Sequence, residues 1–185
     1  IFDNVNYVGP QMIYNRYGST TLIDCTVNIE KNGSSATAQE FCEGNRLTLS
    51  GKTTLNVSST SSAVIWFPFA NSSFTIASDA NVTINAPNTY LFYTDSAAKP
   101  TFTFKNNSTT TVTSKKSWFY ASGTGAHIAS SFVMEENSTL NASCADNSGI
   151  PFFKCSGNFT VGNNCNLKIV MATKGTSPLL YFSQV

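Results

Sequence analysis

The sequence predicts an all-β fold, a right-handed parallel β-helix (a three-sided β-solenoid) with about 27 residues in each coil. Three observations lead there. The composition favours strands over helices. An apolar template returns at nearly constant spacing. A turn carrying Asn, Asp or Gly falls at the same place in successive copies.

Charged residues make up only 11% of the chain and hydrophobic residues 41%. Ser, Thr and Asn number 24, 23 and 20, so the polar surface is built from hydroxyls and amides. Few Lys and Glu remain to favour helix, while Thr, Val, Ile, Phe and Tyr favour strands. Low charge with ample apolar content also opposes disorder. A net charge of +1 gives no field that would draw nucleic acid or an anionic membrane. No run of about 18 apolar residues is present, so membrane insertion is not expected. Ile1-Phe2-Asp3-Asn4-Val5 lacks the basic and apolar regions of a signal peptide. The chain ends in the apolar Leu180-Tyr181-Phe182, and we read residues 1–185 as a single β-solenoid domain cut from a longer protein.

The template begins with an alternating pair that places two apolar side chains on one face. It reads Leu47/Leu49, Phe74/Ile76, Phe102/Phe104, Phe132/Met134 and Phe159/Val161, with a weaker copy at Thr21/Ile23. Successive second members, from Ile23 to Val161, lie 26, 27, 28, 30 and 27 residues apart. Six residues beyond each second member a second strand starts, at Ile29, Leu55, Val82, Thr110, Leu140 and Leu167. Between the strands lie Gly51-Lys52, Ser78-Asp79, Asn106-Asn107, Glu136-Asn137 and Asn163-Asn164, residues suited to a left-handed turn. A small residue follows each time: Thr53, Ala80, Ser108, Ser138, Cys165. A third, aromatic strand closes each coil, as in Ile65-Trp66-Phe67, Tyr90-Leu91-Phe92-Tyr93, Trp118-Phe119-Tyr120 and Phe152-Phe153. Three short strands cannot bury a face alone, and stacking coil on coil supplies the core. An antiparallel sandwich would match the strand spacing but not the column-by-column register.

Five cysteines, at 25, 42, 144, 155 and 165, leave at least one thiol without a partner in this chain. Cys25–Cys42 and Cys144–Cys155 are open as bridges, beside the alternative of small buried thiols. Their irregular spacing shows no zinc pattern, and neither metal nor cofactor is expected. N-x-S/T triplets begin at Asn32, Asn56, Asn71, Asn81, Asn106, Asn107, Asn137, Asn141 and Asn158. In a eukaryotic secreted protein they would suggest heavy glycosylation, and the alternative is that a chain this rich in Asn, Ser and Thr produces them by composition alone. The lone His127 lies in the loop that lengthens one coil. The ten acids do not line up on one sheet face, as a polysaccharide lyase or hydrolase would need, so the reading is non-catalytic.

The aromatic strands are the candidates for recognition. If Phe67 and Phe119 point inward, alternation sends Trp66, Trp118 and Tyr120 outward, with Phe152 and Tyr181 continuing the row. Trp66, Tyr93, Trp118, Tyr120 and Phe152 are therefore the candidate ligand-binding residues, suited to stacking on sugar rings or a protein. The alternative is that these rings are covered by the core or by loops 94–100, 121–130 and 143–149.

Phe2-Asp3-Asn4-Val5-Asn6-Tyr7-Val8-Gly9-Pro10-Gln11 with Tyr14-Asn15 resembles the start of the pectate-lyase-like adhesive domain of cell-wall-anchored surface proteins from lactobacilli and related Gram-positive bacteria. Gln39-Glu40-Phe41, Val64-Ile65-Trp66 and Asn158-Phe159-Thr160-Val161-Gly162-Asn163-Asn164 carry the same flavour over the whole chain. The resemblance implies a right-handed β-helix, a location outside the cell at the wall, and adhesion to glycan or protein on a host epithelial or mucosal surface. A structural stalk is the alternative role. Five cysteines depart from that pattern, and no ligand motif carries over.

Overall fold

The structure, a computed structural model, describes residues 1–30, 41–58, 63–95, 98–115, 117–119, 128–145, 151–173 and 177–182. The strands are, in chain order, β1 (Phe2–Asp3), β2 (Asn6–Gly9), β3 (Ile13–Ile23), β4 (Thr26–Ile29), β5 (Cys42–Ser50), β6 (Lys52–Val57), β7 (Ala63–Phe67), β8 (Ser73–Ile76), β9 (Asn81–Ala86) and β10 (Tyr90–Thr94). They continue as β11 (Thr101–Phe104), β12 (Thr109–Ser114), β13 (Ser131–Met134), β14 (Thr139–Cys144), β15 (Phe153–Cys155), β16 (Phe159–Val161), β17 (Asn166–Met171) and β18 (Leu180–Phe182). Among the described residues there is no helix, and every strand ladder is parallel. The result is a β-solenoid of about 5 turns and roughly 27 residues per turn. The antiparallel alternative is thereby excluded.

Three faces follow from the pairing. The first runs β1-β3-β5-β8-β11-β13-β16, and the second runs β2-β4-β6-β9-β12-β14-β17. The third begins in the leading halves of β3 and β5, passes through β7 and β10 and a bridge from Phe92 to Phe119, and reappears as β15 with β18. Long strands β3 and β5 bend from the third face onto the first, which joins those two faces into one sheet.

Alternation builds the core. On the first face Leu47, Phe74, Phe102 and Phe132 stack in register, as do Leu49, Ile76, Phe104 and Met134, and none is more than 2% exposed. Threonines of the same strands (Thr48, Thr75, Thr103) form the outward column between them. Rings pack coil to coil, with Phe74–Phe102 centroids 5.7 Å apart and Phe102–Phe153 5.4 Å apart. Each such side chain removed from water is worth about 1.5–3 kcal/mol. In the last coil Phe159, Leu167 and Ile169 are only partly buried.

The turn between the first two faces is a column of left-handed residues. Asn4, Asp24, Gly51, Asp79, Asn107, Asn137 and Asn164 all have φ between 51 and 60°. Their side chains link neighbouring coils, Asn107 Nδ2 donating to Asp79 Oδ1 at 3.0 Å and Asn137 Nδ2 to Asn107 Oδ1 at 3.3 Å. On the second face Asn28, Asn56 and Asn85 form a comparable ladder, Asn56 Nδ2 donating to Asn28 Oδ1 and Asn85 Nδ2 to Asn56 Oδ1, both at 2.8 Å. Asn56, Asn107 and Asn137 thus have structural work for their amides, while Asn32 lies outside the described residues.

Register departs from expectation in the early coils. Leu22, fully buried, pairs with Leu49, and Ile23 pairs with Ser50. The inward residue of the weak copy is Leu22, not Ile23. Leu55 pairs with Ile84 rather than Val82, and Thr53 takes the place opposite Val82. Thr53 therefore belongs to a strand, whereas Ala80, Ser108 and Ser138 sit buried at the corner. A shift of two residues leaves the same faces apolar, so the alternating pattern alone could not detect it. The six-residue step is real from Ile76 onward and coincidental before it.

Neither Cys25–Cys42 nor Cys144–Cys155 is a disulfide bridge in the structure. These four cysteines are buried and behave as small apolar fillers.

Candidate functional site

The outward column of the third face reads Tyr14, Glu43, Trp66, Tyr93 in register. Strand alternation explains why these side chains leave the core while their neighbours Ile13, Cys42, Ile65 and Phe92 enter it. Beside this column the ladder between β3 and β5 is broken. Tyr14 and Asn15 pair with Glu43 and Gly44, and pairing resumes only at Ser19 with Arg46. Arg16, Tyr17 and Gly18 therefore face the single residue Asn45 and bulge outward. Asn15 holds the bulge, its Oδ1 accepting from the Gly18 N–H at 3.1 Å and its Nδ2 donating to Thr20 Oγ1 at 3.3 Å.

The bulge delivers Arg16 and Tyr17 onto the aromatic column. Arg16 Nε lies 2.6 Å from Glu43 Oε1, and its guanidinium carbon sits 5.4 Å from the ring centroids of both Trp66 and Phe69. Tyr17 stacks on Phe69 at 4.8 Å with 17° between the planes. Trp66 meets Tyr93 edge-on at 5.9 Å, and its indole N–H donates to Asp95 Oδ1 at 3.1 Å. Two rings stand well out: Tyr14 is 69% and Tyr17 80% exposed. Glu43 is buried, and burial pushes its carboxyl above the usual range; nearby Asp95 adds to the rise and Arg16 opposes it. The Cys42 thiol beneath is pushed up to about 12, first by burial and then by Glu43, so it is inert.

The structure sorts the expected recognition residues. Trp66 and Tyr93 are half-buried on the outer surface and in contact with each other. Trp118 and Phe152, at 1% and 2% exposure, do not point outward, and the expected surface row is corrected there. Each sits where the chain turns the corner into the third face, in line with Phe41, Val64 and Leu91, all buried. At that corner two consecutive residues enter the core, so alternation counted from Phe119 fails. Trp118 lies against Phe92, Phe104 and Phe152 instead. Tyr120 and His127 lie outside the described residues, as do parts of loops 94–100, 121–130 and 143–149. Tyr181 is partly exposed on the last coil.

Arg16, Glu43 and Asp95 were not legible as a site, because they come from three coils and a bulge that leaves no periodic trace. Extending the third-strand column from Trp66 back to Tyr14 would have reached Glu43. Among the described residues no group of His, Cys, Asp and Glu could hold a metal ion. Among the described residues the site offers flat rings, one guanidinium and two carboxylates, groups able to stack on and hydrogen-bond a ligand.

No family model matches the chain, and neither a curated protein nor a solved structure matches it.

Proposed function

We propose that the chain is a non-catalytic adhesive module of a Gram-positive cell-surface protein, displayed outside the cell at the wall, that binds glycan or protein on a host epithelial or mucosal surface. The observation that supports this reading is the corner built from Trp66, Tyr93, Tyr17 and Phe69, where rings and hydrogen-bonding groups gather on an outer face. Aromatic anchors beside a few placed polar groups dominate the energetics of such contacts. The Arg16–Glu43 ion pair engages the buried carboxylate, which favours a positioning role over acid–base work.

Binding of the 185-residue chain to a glycan array and to epithelial cells tests the reading. Signal is expected from the parent chain, with a loss of about three- to tenfold for Trp66→Ala or Tyr93→Ala. Uniformly blank binding by the parent would sink it and favour a stalk, a role supported by the in-register stack of parallel coils.

A further inference from the structure

We propose that the Trp66 corner takes an uncharged sugar ring and discriminates against acidic glycans, an inference that rests on the adhesive reading above. The rings come first. Tyr17 lies flat on Phe69, 17° from parallel, and with 80% of the residue exposed it presents a broad outer surface on which the C–H face of a hexose can stack. Trp66 and Tyr93 stand at 88° to each other and form a second wall.

The polar groups set the charge. Among the described residues Arg16 is the cation found in contact with these rings, and it is paired with Glu43 at 2.6 Å while lying over Trp66 and Phe69. A guanidinium has five N–H donors, so one bound to a carboxylate through Nε retains donors for hydroxyl oxygens. Asp95 adds a second carboxylate; the indole of Trp66 occupies one of its acceptor positions, and a carboxylate has about four. Donors and acceptors side by side match the paired hydroxyls of a neutral sugar. Among the described residues the corner holds two carboxylates and one guanidinium, so with both acids ionised its local charge is about −1. The chain's other arginine, Arg46, lies in a different column, between Ser19 and Ser73 on the first face. A sugar carboxylate or sulfate docking here would meet like charge at short range.

The test uses the whole chain and measures affinity for hexaoses of glucose, galactose and N-acetylglucosamine, and for oligogalacturonate and a sialylated oligosaccharide, each at low and high salt. At least one neutral probe should bind with little salt dependence. It should weaken about three- to tenfold in Trp66→Ala and in Tyr17→Ala, the latter being exposed enough to leave folding intact. Acidic probes should bind more weakly, and Asp95→Asn should narrow the gap. Acidic probes that bind as tightly as neutral ones, and lose affinity in Tyr17→Ala, overturn this inference and leave the adhesive reading standing. If no probe binds and host cells are not bound either, both fall together.

Discussion

Glu43 sits with 6% of the residue exposed, beside Arg16 and within the field of Asp95, and its proton affinity reports that setting. Burial dominates, so its folded pKa lies above the ordinary value for Glu. A raised carboxyl holds its proton better in the folded state than in the unfolded one. The stability it contributes is therefore fully present below the unfolded pKa, about 4.3, and is lost as pH rises through the higher folded value. Melting curves of the parent and Glu43→Gln across that window should converge or diverge accordingly, the parent losing stability relative to the variant as pH rises. A Glu43 titration midpoint by NMR at or below that of free Glu would contradict the assignment. The two tryptophans show how much a single register position decides. Trp66 finds Asp95 for its N–H, whereas Trp118 Nε1 is buried with no hydrogen-bond partner among the described residues. Both rings look alike in the sequence, and only the corner separates them.

At the scale of the element, the turn between the first and second faces does most to set register. Its left-handed column is filled by Asn or Asp in every coil but one, and there Gly51 takes the position at φ 57°. A Cβ on Gly51 would collide with the carboxylate of Asp24, which accepts the Lys52 N–H at 2.7 Å. Gly51→Ala is expected to cost about 1–2 kcal/mol from backbone conformation alone. That corresponds to a fall in Tm of roughly 2–8 °C for a chain of this size. Gly51→Asn, tolerant of the conformation, separates the two causes, since it keeps only the steric conflict. An unchanged Tm in Gly51→Ala would show that the turn had relaxed. The strands from β8 onward were legible because apolar pairs, a left-handed turn residue and an alternating second strand recur together. Earlier ones were misregistered because Leu55 and Thr53 are both compatible with an inward position, and period-2 patterning does not distinguish them. Trp118 and Phe152, expected on a surface row, instead join Phe41, Val64 and Leu91 in the buried corner column for a related reason: alternation holds along a strand and lapses where the chain bends.

Across the whole molecule each coil contacts its neighbours above and below, so stability is the sum of intrinsic and interfacial terms. Phe74, Ile76, Phe102 and Phe104 are sealed between coils, whereas Phe159, Leu167 and Ile169 have a coil on one side. Hydrogen exchange of this 185-residue chain should therefore be slowest in β8, β9, β11 and β12 and fastest in β1, β2 and β16–β18. Uniform protection from first coil to last would mean that the stack opens as one unit.

The bulge of Arg16–Gly18 and the corner columns are local matters, but the parallel ladders have a mechanical meaning for a protein under load. Their hydrogen bonds run from coil to coil, along the stack, and the first and last described strands lie in its opposite end coils. Tension applied between those ends meets the rows one after another, like a zip, and not all together. Each coil of roughly 27 residues would free about 90 Å of chain when its rows part. A single molecule stretched in this way should lengthen in even increments, one coil at a time, and a single abrupt rupture would argue against it. Such a spool yields at modest force over a long distance, and so limits the load passed from one end of the stack to the other.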